Sequence, residues 1–232
     1  METIERHRRG EAVGVTSVCS AHPLVLEAAV LQAIDDGTYV LVEATSNQVD
    51  QDGGYTGLRP AGFRDLVHAI AEQHGLPLER VVLGGDHLGP NVWRGLGAEG
   101  AMRRAETLVA AYVAAGFTKI HLDCSMSLAG DPVRLDDKVV AERAARLARV
   151  AEDAAREAGT RDVVYVVGTE VPVPGGAHET IETLTPTSPE AAGITLEHHH
   201  VAFEQAGVAD AWDRVVALVV QPGVEFDHMK VI

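Results

Sequence analysis

The sequence predicts an α/β fold of the (β/α)8 TIM-barrel type, incomplete here at about six βα units. Three observations predict it. Short segments rich in Val, Ile and Leu alternate six times with longer segments of helical period, which implies a parallel sheet buried on both faces. That alternation fits either a doubly wound sheet or a barrel. No Gly-x-Gly-x-x-Gly follows the first strand, which disfavours a dinucleotide-binding sheet. Polar residues gather at the C-terminal ends of the strands, where barrels place their sites. A closed barrel needs eight strands, and six are read before Ile232. Residues 1–232 are therefore expected to form a single barrel domain whose C-terminal strands are absent.

Ala12–Cys19 (AVGVTSVC) reads as the first strand. Pro23 opens a helix to Ile34, since proline suits a first helical turn. Tyr39–Thr45 (YVLVEAT) is the second strand, and a long glycine-containing loop runs from Ser46 to Arg59. A helix from Pro60 to His74 stops at Gly75. Arg80–His87 is the third strand, followed by an alanine-rich helix, Glu99–Ala115, that ends at Gly116. Thr118–Ser125 (TKIHLDCS) is the fourth strand, and Asp136–Ala158 the longest helix. Asp162–Glu170, a helix over Ser188–Gln205 and Arg214–Gln221 complete the pattern.

The 232 residues are 46% hydrophobic, ample for a packed core. A net charge of −15 opposes nucleic acid and anionic membranes as partners. No stretch approaches the roughly 18 apolar residues of a membrane span, and the N-terminus has no apolar signal core. Cys19 and Cys124 lack CxxC spacing and read as free thiols of a reducing compartment. A cytoplasmic protein handling small molecules is expected.

The strand mouths carry Ser20 and His22, Glu43 and Asn47, Asp86 and His87, Asp123 and Ser125, Glu170, and Asp227 with His228. A carboxylate beside an imidazole, as at Asp86-His87, is the smallest set for metal-assisted proton transfer. Successive strand residues point to opposite faces, so the two can hold different jobs. The same pair before Gly89-Pro90 also suits a plain turn. Glu170 opens Gly-Thr-Glu-Val-Pro-Val-Pro-Gly-Gly, whose prolines fix the backbone. Asp123 reads equally as a cap, and His121, deeper in the same strand, as a satisfied core histidine. His228 stands near the last residue, where fraying is common.

His198-His199-His200 lies in mid-helix, where neighbours fan out by about 100° each. Three in a row cannot ligate one ion, so a solvated helix face is expected. The loop Asp52-Gly-Gly-Tyr-Thr-Gly could approach a ligand but lacks the Lys-Ser/Thr of a P-loop. No Gly-x-Ser-x-Gly elbow is present. Carboxylates and a histidine converging at a barrel mouth fit proton abstraction with a divalent cation.

Six motifs in order, Ser17-Val-Cys-Ser-Ala-His-Pro-Leu-Val, Glu43-Ala-Thr-Ser-Asn-Gln-Val-Asp-Gln, Gly53-Gly-Tyr-Thr-Gly, Gly84-Gly-Asp-His-Leu-Gly-Pro-Asn, Gly168-Thr-Glu-Val-Pro-Val-Pro-Gly-Gly and Val220-Gln-Pro-Gly-Val-Glu-Phe-Asp-His, resemble the D-tagatose-1,6-bisphosphate aldolase non-catalytic subunit family. That family is similar in fold to the class II, metal-dependent aldolases, and some relatives are sugar or sugar-acid epimerases. The resemblance implies that Asp86 is the acid/base at the C4 hydroxyl and that His87, Glu170, His228 and Asp123, the last as a second-site acid, belong to the site of a divalent metal, Zn or Mn. It implies substrate contacts from Ser20, His22, Glu43, Asn47, Gly54, Tyr55 and Asn91, and a small free or phosphorylated ketose as ligand. A catalytic aldolase subunit or further copies of the chain are the implied partners. Relatives continue into two more strands, so a seventh-strand histidine and the phosphate site of the last loops are expected to be missing, leaving sheet edges for a partner to cover. Two functions follow from the resemblance: an accessory subunit, or a self-sufficient ketose epimerase or aldolase. A folded scaffold without chemistry is the third reading.

Overall fold

Six parallel-type strands alternate with helices in a computed structural model that describes residues 2–168 and 186–223. Glu170, the Gly175-Gly176 pair, Asp227 and His228 lie outside the described residues. The strands are β1 (Ser17–Cys19), β2 (Val40–Thr45), β3 (Val81–Leu88), β4 (Lys119–Leu122), β5 (Val164–Gly168) and β6 (Val215–Val219). The helices are α1 (Glu2–Arg8), α2 (Pro23–Asp36), α3 (Pro60–His74), α4 (Ala98–Ala114), α5 (Asp137–Ala158), α6 (Pro189–Gln205) and α7 (Ala209–Trp212).

The strands follow one another in the sheet in sequence order, β1 to β6. A doubly wound sheet reverses its order at a switch point. The unreversed order is that of βα-barrel winding, so the choice left open by the sequence falls on the barrel side. β1 pairs parallel with β2, Ser17↔Leu41 to Cys19↔Glu43, and β2 with β3, Val40↔Val81 to Thr45↔Asp86. The ladder reaches back only to Ser17, so residues 12–16, read as part of the first strand, have no strand structure. α1 was not anticipated: it carries charges without an apolar period, and Arg6 pairs with Glu11 just beyond its end at 2.7 Å. Pro23 and Pro60 sit in first turns, and the left-handed Gly75 (φ 76°) caps α3. No helix among the described residues is long and apolar enough to cross a membrane.

Contacts divide the chain into two compact units. The first comprises residues 1–86, 110–120 and 154–163. Its core is Leu26 and Val30 of α2, Val42 and Ala44 of β2, and Phe63 and Val67 of α3, all fully buried. Burying each large side chain contributes about 1.5–3 kcal/mol. Tyr112 packs edge-on to Phe117 at 4.6 Å, and its hydroxyl donates to the Val49 carbonyl at 2.9 Å, tying down the loop after β2.

The second unit comprises residues 87–109, 121–153 and the described part of 164–232. Its aromatic core is Tyr165, Phe203 and Trp212. Arg146 joins α5 to α4 through Glu99 at 2.8 Å and Glu106 at 2.5 Å. The histidine run of α6 departs from the expected solvated face. His199 is 1% exposed, on the same side as Ala202 and Phe203, with Nδ1 2.8 Å from the Thr195 carbonyl. His200 is exposed and stacks on Trp212 at 5.1 Å. The fan-out of adjacent residues separates the three, and the apolar period of the helix takes the middle one inward.

Candidate active site at the strand mouths

In the first unit the site is built around charge. Glu43 of β2 is 3% exposed and in register with Gly84 of β3. Its side chain occupies the space a Cβ at position 84 would need, so any larger residue there would force the Glu43 side chain to shift. Ser17 Oγ donates to Glu43 Oε2. Lys119 Nζ stands 2.5 Å from Glu43 Oε1 and 4.0 Å from Asp86 Oδ1. Two charges removed from water are costly unless paired, and here the ammonium stands between two carboxylates. Cys19 shares this neighbourhood. Burial of its thiol, and then the charges of Asp86 and Glu43, push its pKa up to about 12 against the opposing charge of Lys119. Cys19 itself is exposed, with Sγ 3.9 Å from Gln48 Oε1.

The loop after β2 is built by side chains on its own backbone. Gln48 Oε1 accepts from the Thr45 N–H at 2.9 Å, and Asp50 Oδ1 accepts from Asp52 and Gly54 N–H at 2.7 and 2.9 Å. Gly54 is left-handed (φ 53°) and its Cα lies against the Gln48 carbonyl, leaving no room for a side chain. This presents Tyr55, 74% exposed, at the loop tip. Asn47 is exposed in the same loop, and its carbonyl accepts from the Tyr55 N–H at 3.0 Å. His22 caps α2, its Nδ1 accepting from the Leu24 N–H at 3.3 Å, while Ser20 Oγ accepts from the His22 N–H at 3.2 Å.

In the second unit the site is built around hydrogen bonds to one imidazole. His87 has φ 48°, left-handed backbone in a residue with a side chain, an arrangement that costs of order 1–3 kcal/mol and persists only where neighbours impose it. Its N–H donates to His121 Nδ1 at 3.2 Å, and His121 Nε2 donates to the Gly168 carbonyl at 3.1 Å. His87 Nδ1 meets Asp123 Oδ2 at 2.9 Å. Asp123, 4% exposed, also accepts at Oδ1 from the N–H and hydroxyl of Ser125, at 3.1 and 2.7 Å. Burial alone would raise the Asp123 pKa. The hydrogen bonds from His87 and Ser125 outweigh it and hold the carboxyl below its ordinary value. An ionised Asp123 accepts a hydrogen bond from the Nδ1–H of His87, so the neutral His87 ring carries its lone pair on Nε2. Gly89 packs so closely on the Asp123 carbonyl that no Cβ fits. Asn91 follows, half-buried in the turn Pro90–Trp93.

A candidate metal triad is present among the described residues: one ligand atom each from Asp86, His87 and His121 lie within 4.8 Å of one another. Carboxylate oxygen and imidazole nitrogen suit Zn or Mn, and no metal is identified. The sequence reading missed Lys119 and Ser17. Lys119 lies two residues before His121, the spacing of one strand face, but nothing local pairs it with Glu43.

The family described as D-tagatose-1,6-bisphosphate aldolase subunit GatZ/KbaZ-like matches residues 1–232. The crystal structure of a probable tagatose 6 phosphate kinase from Sinorhizobium meliloti 1021 is 52% identical, with a TM-score of 0.83, over 94% of this chain and 52% of that one. The chain thus spans about half the length of that solved relative. The YdjI aldolase from Escherichia coli K12 is a weak likeness at 15% identity and a TM-score of 0.42, over 84% of this chain and 53% of that one. On a match that runs from the first residue to the last, this chain belongs to the D-tagatose-1,6-bisphosphate aldolase subunit GatZ/KbaZ-like family.

Proposed function

We propose that this chain serves as, or within, an accessory, non-catalytic subunit that stabilises a class II D-tagatose-1,6-bisphosphate aldolase in cytoplasmic carbohydrate catabolism of the tagatose or galactitol type. The observation that carries this reading is family membership over all 232 residues. Its partner is then the catalytic aldolase subunit, alone or with further copies of this chain. A sugar kinase is the weakest alternative, since no phosphate-cradling motif is read in these residues.

A second reading has its own observation. Asp86 and His87 belong to a group that could hold a metal ion, and Asp123 bonds His87 Nδ1 at 2.9 Å, which supports a self-sufficient metal-dependent ketose or sugar-acid epimerase or aldolase acting by retro-aldol chemistry. In that reading Asp86 takes and returns the proton of the C4 hydroxyl. His87 offers Nε2 to a divalent cation, Zn or Mn, with Glu170 and His228 as further ligands, and Asp123 holds the His87 tautomer from behind. A bound cation supplies Lewis-acid polarisation of the ketose carbonyl. Ser20, His22, Glu43, Asn47, Gly54, Tyr55 and Asn91 are the proposed substrate contacts, with Tyr55 reaching the sugar from the loop tip.

One experiment separates the readings. The purified chain is assayed with Mn²⁺, Zn²⁺ or Co²⁺ on tagatose, fructose and their phosphates, and then mixed with a catalytic tagatose-bisphosphate aldolase subunit. Activation or stabilisation of that subunit without turnover by the chain alone is the accessory result. Turnover by the chain alone, abolished by Asp86→Asn, is the enzyme result. Neither effect at micromolar protein sinks both and leaves a scaffold.

A further inference from the structure

The geometry points to His121 as a positioning residue: we propose that it holds the His87 backbone in its left-handed conformation and is not itself a metal ligand, the second half resting on the metal reading above. A strand N–H ordinarily donates to a neighbouring carbonyl. That of His87 donates to a side chain, His121 Nδ1, at 3.2 Å. An imidazole nitrogen accepts only when it carries no proton. The other His121 nitrogen faces the Gly168 carbonyl at 3.1 Å, a partner that can only accept. The two contacts together fix one form of the ring: neutral, with its proton on Nε2. The ring is 1% exposed.

His87 is fixed in the opposite form. Its Nδ1 meets the buried Asp123 carboxylate at 2.9 Å, so its proton belongs on Nδ1. Two rings with centroids 4.5 Å apart therefore hold opposite tautomers. The hydrogen bonds close into a frame. Gly168 carbonyl, His121 ring, His87 amide, His87 ring and Asp123 carboxylate follow one another, and the Asp123 N–H returns to the Leu88 carbonyl at 3.0 Å. Ligation through His121 would break this frame on one side or the other. Nδ1 could bind a cation only by releasing the His87 amide, and Nε2 only by leaving the Gly168 carbonyl. His87 can offer Nε2 without disturbing either bond. Left-handed backbone is at home in Gly, Asn and Asp. At His87 it is imposed from outside, and His121 is the group on its amide.

The test is two-bond ¹⁵N–¹H correlation spectroscopy on the ¹⁵N-labelled chain, first in chelator and then with one equivalent of ZnCl₂. The zinc-free spectrum should show His121 as the Nε2–H tautomer and His87 as the Nδ1–H tautomer. With zinc, the His87 Nε2 resonance should move and both His121 resonances should stay. His121→Phe should speed exchange of the His87 amide at least about tenfold, the effect of a buried donor left without its acceptor. His121→Asn, whose carbonyl can take over the acceptor role, should restore part of the protection. An Nδ1–H tautomer at His121, a His121 nitrogen that shifts with zinc, or unchanged His87 amide exchange in His121→Phe would overturn the proposal. Zinc that moves neither ring would sink the metal reading instead, and the zinc-free tautomers and the amide exchange would still decide the role of His121.

Discussion

The two units organise their polar residues by opposite means. In the first, formal charge does it: Glu43 and Lys119 lie 2.5 Å apart with Asp86 next to the ammonium. In the second, a neutral ring, a backbone amide and one carboxylate hold His87 at a φ of 48°. The glycines differ in the same way. Gly84 makes room for a side chain, the Glu43 carboxylate, whereas Gly89 makes room for backbone, the Asp123 carbonyl. Charge fixes distances loosely and penalises any unpaired member heavily. Hydrogen bonds fix orientation and tautomer, at the expense of backbone strain. The first unit is therefore most sensitive to losing a charge, and the second to moving its backbone.

Lys119→Met probes that contrast most strongly. It leaves Glu43 buried without its cation and should cost about 3–5 kcal/mol in urea unfolding. Lys119→Met combined with Glu43→Gln should recover most of that loss, because a neutral pair has no buried charge to satisfy. A single variant as stable as wild type would show that the pair is screened by water and would remove the contrast. Gly89→Ala comes next. Its new Cβ meets backbone that cannot swing away, so about 3 kcal/mol is expected, the upper end for overpacking. Gly84→Ala meets only the Glu43 side chain and should cost less, about 1–3 kcal/mol. Thermal unfolding of the two alanine variants side by side checks the order, and the reverse order would mean that the second unit yields more easily than its hydrogen-bonded frame implies.

Much of the frame was legible in the sequence. Proline at positions 23 and 60 marked helix starts, glycine at 75 a helix stop, and valine-rich runs gave β2 and β3 to within one residue, whereas β5 starts two residues later than read, at Val164. The strand-mouth rule led to Asp86, His87 and Asp123, which the fold brings to β3 and the end of β4. Other features were illegible for physical reasons. Lys119 opens β4, and its partner Glu43 lies on another strand, where no local pattern announces the pairing. The left-handed backbone at His87 contradicts the preference of the residue, because tertiary hydrogen bonds override it. The helical fan-out of His198, His199 and His200 showed that they diverge, yet only packing reveals which one turns inward.

Acid separates the units by a smaller effect. The Asp123 pKa in the folded chain lies below its ordinary value of 3.8, so folding favours the ionised form. The stability this contributes is present above about pH 4 and is lost as pH falls through the lower folded value. Asp123→Asn should lose that acid-dependent part, and its urea midpoint should vary less than that of wild type between pH 4 and pH 2.5. Equal slopes would mean that the hydrogen bonds of His87 and Ser125 do not favour the carboxylate over the acid.

The smallest expected effect lies away from the strand mouths and serves as the control for the second unit. Burial holds the His199 pKa below 6.5, against opposing contributions from the Thr195 carbonyl and the Asp137 charge, with His198 adding to the lowering. The folded chain thus binds a proton at His199 less readily than the unfolded chain does. Stability is full above about pH 6.5 and declines as pH falls from there toward the folded value. The melting temperature should drop modestly from pH 7.5 to pH 5.5, with earlier amide exchange in α6 than in β3. His199→Gln, neutral at both pH values, should reduce that drop without changing the tautomers of His87 and His121. A variant that keeps the full drop would move the titrating group away from α6, and one that alters the His87 spectrum would show that the helix and the imidazole frame open together.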